Sequence, residues 1–373
     1  MGEVIHELTI GDPVNLLWVG IGTMLGILVG AIPGLTGAML IALSLPLTYA
    51  MQPSEAMVLL VSMYVGSISG GLITATLLRM PGTPASVITT LDGYPMARDG
   101  NPGRALGLGI MASFVGGLIS WGFLILLAEP ISHISTELGD FDYFALVLVA
   151  LVLIASVSGK SLAAGVFSGF LGILVTIPGE SPATGDTRWT WGVEQLNNGF
   201  DLLPVLIGLF AVSQVIHEVA SREKKVEKIS QVAPEGILLG AADWLRHMVN
   251  MIRSSVIGTW VGILPGIGAN VGSVMAYSAA KSLSKQPEAF GTGSEEGVVA
   301  SEAANNATIG GALIPLVAMG IPGSVIDAIL LGALVLHGLQ PGVLLFHNHP
   351  EIVYTIIFTM LIANLAMFGM MLL

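Results

Sequence analysis

The sequence predicts an all-α polytopic membrane protein of about ten to twelve membrane segments, arranged as two repeats with broken, re-entrant helices. Three observations carry that expectation. Of the 373 residues, 53% are hydrophobic and only 10% charged, and the mean hydropathy is +0.83, a balance foreign to soluble domains. Apolar stretches of roughly 17–25 residues recur along the chain, long enough to cross hydrocarbon as helices and too continuous for the alternating strands of an outer-membrane barrel. Finally, a Pro-Gly pair interrupts an apolar run twice in the same way. Residues 22–38, GTMLGILVGAIPGLTGA, and 257–273, IGTWVGILPGIGANVGS, share a Gly-Thr start, a GIL triplet, the pairs Pro33-Gly34 and Pro265-Gly266, and small or hydroxyl residues just beyond.

Such breaks have a physical consequence. Proline lacks an amide hydrogen and glycine admits unusual dihedrals, so Pro-Gly frees backbone groups that lipid cannot satisfy. The break therefore faces protein or a water-filled cavity. A helix restarting after it presents free N–H groups and the positive end of its dipole, a seat for an anion. One Pro-Gly alone reads equally as a hinge or packing point, whereas matched breaks in two halves point to a transporter's midplane site.

Composition sets further bounds. There is no cysteine, which removes disulfides and thiolate metal sites, and the net charge of −12 offers no basic footprint for nucleic acid. A globally acidic chain still accommodates an anion held by local dipoles. The acidic start, MGEVIHELTIGDP, has no Lys or Arg, so a cleaved signal peptide is not expected.

In chain order, residues 14–32 form a first apolar segment with Gly22, Gly26 and Gly30 spaced for close helix packing, and 35–50 form a half-helix. Residues 56–78 span, and a second break follows at Pro81-Gly82-Thr83-Pro84, then a polar loop at 93–104. Helices are expected at about 105–128, 143–158, 161–178 and 200–217, with links at 131–142 and 181–191; Trp189 and Trp191 suit an interfacial anchor. Four of the 13 basic residues lie in 221–228, SREKKVEK, which the positive-inside rule places in the cytoplasm. The domains are thus 1–220, a first repeat with scaffold helices; 221–256, a cytoplasmic linker region; and 257–373, a second repeat. A linker following an odd number of crossings makes the repeats inverted.

In the second half Gln286-Pro287 answers Gln52-Pro53, Gly310-Gly311 answers Gly70-Gly71, and Pro322-Gly323-Ser324 answers Pro81-Gly82-Thr83. The breaks are 48 residues apart in the first half and 57 in the second. Apolar segments 325–346 and 352–373 end on Met370-Met371-Leu372-Leu373 without a polar cap, so a further C-terminal portion is expected.

The blocks GAIPGLTGAMLIALSLPLTY (30–49), SMYVGSISGGLITATLLRMPGTPASVITTLDGYPMARDG (62–100), GTWVGILPGIGANVGSVMAYSAAKSLSK (258–285) and FGTGSEEGVVASEAANNATIGGALIPLVAMGIPGS (290–324) resemble the large membrane subunit of the tripartite tricarboxylate transporters. The resemblance implies a multi-pass protein of the bacterial inner membrane working with a small membrane subunit and a periplasmic solute-binding protein. It implies uptake of citrate-like carboxylates coupled to Na+ or protons, with no other cofactor, and an elevator-like motion. Members of that family are longer than this chain.

The expected substrate site is built from the breaks: Pro33, Gly34, Leu35, Thr36 and Gly37; Thr83, Pro84, Ala85 and Ser86; Gly266, Gly268, Ala269 and Asn270; Gly323 and Ser324. Their amides and side-chain donors suit carboxylate oxygens. Asn305 and Asn306, beside Glu302 in an apolar helix, either bridge helices, line the cavity or ligate Na+ through their carbonyl oxygens. Asp327 and Asp92 are candidates for cation binding or proton carriage, Asp92 equally a plain loop residue. Arg79 reads as a helix-end cap, and His347 and His349 make a weak metal pair. Ser158-Gly159-Lys160-Ser161 lacks the upstream glycine of a phosphate loop, since Ile154 stands there. No convergent nucleophile and base mark an enzyme; the rival to a carrier is a passive channel for small anions.

Overall fold

The computed structural model describes residues 12–137, 139, 141–142, 144–145, 148, 161–181, 184–200, 204–205, 207–220, 236–265 and 268–373. Thirteen α-helices lie among them: α1 Pro13–Gly30, α2 Gly37–Thr48, α3 Pro53–Leu78, α4 Thr89–Arg98, α5 Pro102–Thr136, α6 Leu162–Val175, α7 Ser213–Ala220, α8 Ala241–Ile263, α9 Gly268–Leu283, α10 Glu295–Met319, α11 Val325–Leu336, α12 Val343–Asn348 and α13 Pro350–Met371. A hairpin of two-residue strands, Gly179–Glu180 and Thr187–Arg188, is the sole sheet among the described residues. Proline opens α1, α3, α5 and α13, where its missing N–H costs nothing.

Four described helices, α1, α3, α5 and α13, are long and apolar enough to cross a membrane; α2, α6 and α11 are apolar but shorter. Their burial differs in a telling way. The apolar window of α3 is 94% buried and that of α1 only 33%, so α3 is an interior helix while α1 turns Leu17, Met24 and Leu28 outward, as a lipid-facing helix does. α10 is equally interior, with every residue from Gly297 to Ala318 buried. Ser69 Oγ of α3 donates to Asn306 Oδ1 of α10 at 2.6 Å. Beyond the end of α3, Asp92 reaches residues 291–294 just before α10. Pro53 and Ser54, at the start of α3, line a cavity with His337 and Leu339, which follow α10. The two central helices are therefore antiparallel.

Glycine sets how closely neighbours approach. A side chain on Gly26 of α1 would strike Met63 O of α3, and one on Gly30 would strike Ser67 O. Gly258 and Gly262 of α8 meet Ala304 O and Thr308 O of α10 in the same spacing. Gly70 stands against Ile27, and Gly311 against Thr259. Gly66 abuts Thr23 O, the counterpart of Thr259 in the two Gly-Thr starts, so the glycines that match by contact are 66 and 311, five residues off the sequence pairing. Gly71 accommodates Thr83 and Ser86, and Gly310 packs on Ser120 of α5.

Several expected boundaries move. α5 runs through the 131–142 link as far as Thr136, because Ser135 and Thr136 turn their hydroxyls back to Ser132 O and His133 O and Ser135 also lies 3.2 Å from Ala318 O of α10. Half of the polar loop at 93–104 belongs to α4 and its last three residues open α5, and α4 also makes Asp92 a helical residue. The 325–346 segment stops at Leu336, where Gly338 and Gly342 take positive φ of 74° and 92°. α8 is unbroken across position 257, and its first residues, 241–256, belong to the expected linker. The 200–217 segment contains a π-helical turn, Ile207–Val212, leading into α7. The expected 143–158 helix and the 221–228 cluster lie largely or wholly outside the described residues.

Overpacking a helix crossing of this kind costs about 1–3 kcal/mol. Gly66→Leu, whose site abuts Thr23 O, should lower the thermal unfolding midpoint of the detergent-purified protein, while Gly20→Leu, with nothing within 4 Å, should leave it nearly unchanged. Differential scanning fluorimetry of the pair checks this.

Candidate functional site

Four helix starts, two from each half of the chain, open on one cavity of about 420 Å³. Thr36 and Gly37 come from α2, Thr83, Pro84 and Ala85 from a 3-10 turn at Pro84–Val87, Gly268, Ala269 and Asn270 from α9, and Ser324 from the start of α11. Tyr64 and Ile68 of α3, Thr308 and Ala312 of α10, and Leu209 and Ser213 add to the wall, and among the described residues no charged side chain lines it.

Each start is prepared by local chemistry. Thr36 Oγ1 accepts from Met39 N at 3.2 Å, and Ser324 Oγ from Asp327 N at 3.4 Å. Thr83 and Ser86 cap reciprocally: Ser86 N donates to Thr83 Oγ1 at 3.3 Å, and Thr83 N donates to Ser86 Oγ at 3.1 Å. These caps use one or two of the freed amides, and the other first-turn N–H groups have no partner within their own helix. α9 begins on Gly268 at φ 69°, a conformation glycine adopts without strain.

The breaks of the two halves interlock. α2 lies against α11, and the 3-10 turn lies against α9. A Cβ on Gly37 would collide with Ser67 and come within 3.2 Å of Ile326 Cδ1 in the opposite half.

Other expected residues stand behind this surface. Pro33, Gly34 and Leu35 form the turn entering α2, with Gly34 at φ 90°. Ser86 is fully buried beneath Thr83. Gly323 packs where a Cβ would meet Ala312 and Gly262 O, and Gly266 falls outside the described residues.

The four charged or amide candidates separate clearly, and none lines the cavity. Asp92 is fully buried and saturated: Oδ1 accepts from Gly291 N, Gly293 N and Ser294 N at 2.8–2.9 Å, and Oδ2 from Tyr277 Oη at 2.8 Å. It anchors the link preceding α10. Asn306 bridges helices, accepting from Ser69 and donating to Glu302 O at 3.2 Å. Asn305 is buried with both side-chain polar atoms unbonded. Asp327 is buried with Tyr64 and Ser324 as polar neighbours, yet neither carboxyl oxygen makes a well-formed hydrogen bond.

Arg79 closes α3 at φ 55° with its guanidinium 5.7 Å from the centre of the Tyr94 ring. His349 lies 3.1 Å from the carboxylate of Glu351. Three residues escaped the sequence reading. Tyr64, whose hydroxyl lies 3.4 Å from Ser324 Oγ, and Thr308 line the cavity, and Glu302 is a fully buried carboxylate. A glutamate and two asparagines within one turn of an otherwise small-residue helix was the available signal for the last.

Residues 16–373 match the sequence model of the tripartite tricarboxylate transporter TctA family. The chain is 34% identical over 370 residues to a protein of Agrobacterium vitis described as "Uncharacterized 52.8 kDa protein in TAR-I ttuC' 3'region", an alignment covering 98% of this chain and 73% of that one. A second Agrobacterium vitis protein, "Uncharacterized protein in TAR-II ttuC' 3'region", is 42% identical over 108 residues, covering 29% of this chain and 45% of its own length. No solved structure matches. With a family match across nearly its whole length, the chain belongs to the tripartite tricarboxylate transporter TctA family.

Proposed function

We propose that the chain is the large membrane subunit of a binding-protein-dependent secondary transporter that takes up tricarboxylates or related small carboxylates. The observation that carries this reading is the cavity where four helix starts from two halves converge with hydroxyl and amide donors and, among the described residues, no fixed charge. Aligned first-turn N–H groups favour anions, and several weak neutral donors release one more readily than an arginine would. The volume of about 420 Å³ lies in the range of small-molecule sites.

The matched glycine contacts of α1 with α3 and of α8 with α10, together with the antiparallel central helices, support two inverted repeats. In this reading the interlocked breaks move as one body past the outer helices, an elevator-like alternation driven by a Na+ or proton gradient. Asp327, one helical turn inside the cavity wall, is a candidate to carry the coupling charge. A small membrane subunit and a periplasmic binding protein complete the system in the bacterial inner membrane.

A hydrogen bond to a charged group is worth about 1.5–3 kcal/mol, so Asn270→Ala should raise the KM for carboxylate uptake about tenfold or more while membrane insertion is kept. Ser86→Ala acts only through the Thr83 cap and should cost about 1 kcal/mol of stability with little change in KM. Uptake by proteoliposomes containing the partner subunits measures both; an unchanged KM in Asn270→Ala removes that donor from the site. Counterflow in the same vesicles should show saturable, gradient-dependent exchange. Gradient-independent flux at channel rates would instead establish a passive pore for small anions.

A further inference from the structure

Deep in α10, away from the cavity surface, Glu302 is a fully buried carboxylate without a cationic partner. Among the described residues no Lys, Arg or His pairs with it; the ion pairs of this region join Arg104 and His247 to Glu295, at the start of the helix. Its oxygens receive two hydroxyls, Thr89 Oγ1 at 2.5 Å and Ser113 Oγ at 3.3 Å. Thr89 Oγ1 is also 3.1 Å from Ser301 Oγ. The Asn305 amide reaches the same carboxyl, yet neither of its polar atoms makes a well-formed hydrogen bond although the residue is fully buried. A buried charge left with two neutral donors, beside an unbonded amide, is an expensive arrangement unless something compensates it.

We infer that Glu302, Thr89, Ser301, Ser113 and Asn305 form a binding site for a small monovalent cation of the sodium class. The donors are all oxygen, from one carboxylate, three hydroxyls and one amide, which suits a hard cation and disfavours transition metals. One negative charge matches one positive charge; a divalent ion would leave an excess buried. Asn305 Oδ1, idle in the hydrogen-bond network, becomes a ligand.

The surroundings give occupancy a structural reach. Ser301 O accepts from Ser273 of α9 at 3.2 Å, and Glu302 O accepts from Asn306, which also holds Ser69 of α3. Thr89 directly follows the 3-10 turn whose Pro84 and Ala85 line the cavity. The cation therefore sits where α4, α5 and α10 meet, beside α3 and α9, and α3, α9, α10 and the flank of α4 all wall the cavity. The inference stands apart from the carboxylate reading, because the cation is measured with no carboxylate present.

The test is equilibrium binding of radioactive sodium to the purified full chain in sodium-free choline buffer. The wild type should bind saturably, and Glu302→Gln and Asn305→Ala should each weaken binding about tenfold or more, the scale of a lost metal ligand. Thr89→Ala, a milder change, should weaken it measurably and serves should Glu302→Gln fail to fold. Absence of saturable sodium binding in the wild type would overturn the inference, as would wild-type binding in folded Glu302→Gln or Thr89→Ala. A protonated-carboxyl infrared band that disappears in Glu302→Gln, without sodium binding, would identify the group as a neutral acid and equally overturn it.

Discussion

Hydrocarbon cannot satisfy a backbone N–H, and the architecture follows from what the chain does with those its prolines release. Each Pro-Gly break ends one helix and starts another, so freed amides accumulate at four new helix starts. The fold brings these starts together, two from each half, and encloses them with α3 and α10. Thr36, Thr83 and Ser324 cap part of the exposed backbone, and the remaining first-turn amides stand at the positive ends of the helix dipoles, with no basic residue among the described lining residues.

Enclosure of that kind needs close packing, and glycine supplies it. Where Gly26 faces Met63 and Gly66, or Gly258 faces Ala304, helix backbones come into contact, a separation that larger side chains forbid. Lipid offers little hydrophobic drive between helices, so dispersion over such long contacts must hold α3 and α10 at the centre. A few polar bridges, Ser69 to Asn306 among them, fix the register.

Much of this was legible in the residues because its causes are local. Pro-Gly pairs, glycine spacing and hydroxyls just beyond a break announce where helices stop and restart, and Thr36, Thr83, Asn270 and Ser324 were found on that basis. Long-range effects were not legible. The hydroxyls of Ser135 and Thr136 carry α5 six residues into the expected link, partly through contact with Ala318 on another helix. Adjacent Asn305 and Asn306 look alike in sequence and differ entirely in the fold, since only one meets Ser69. Asp92 resembles a loop residue until residues 291–294 close around it. Glu302 was passed over because neighbouring amides drew attention from the only full charge among them.

The anchoring of Asp92 also bears on how the protein is made. Its partners, Tyr277, Gly291, Gly293 and Ser294, lie 185 to 202 positions later in the chain. At a synthesis rate of about 5–20 residues per second, the acid waits roughly 10 to 40 s after leaving the ribosome before they emerge. During that interval the N-terminal part cannot adopt its final form alone, and the carboxylate must stay hydrated at the membrane surface or in the insertion machinery. The two halves are thus obliged to mature together, with completion timed by the arrival of a short glycine-containing link.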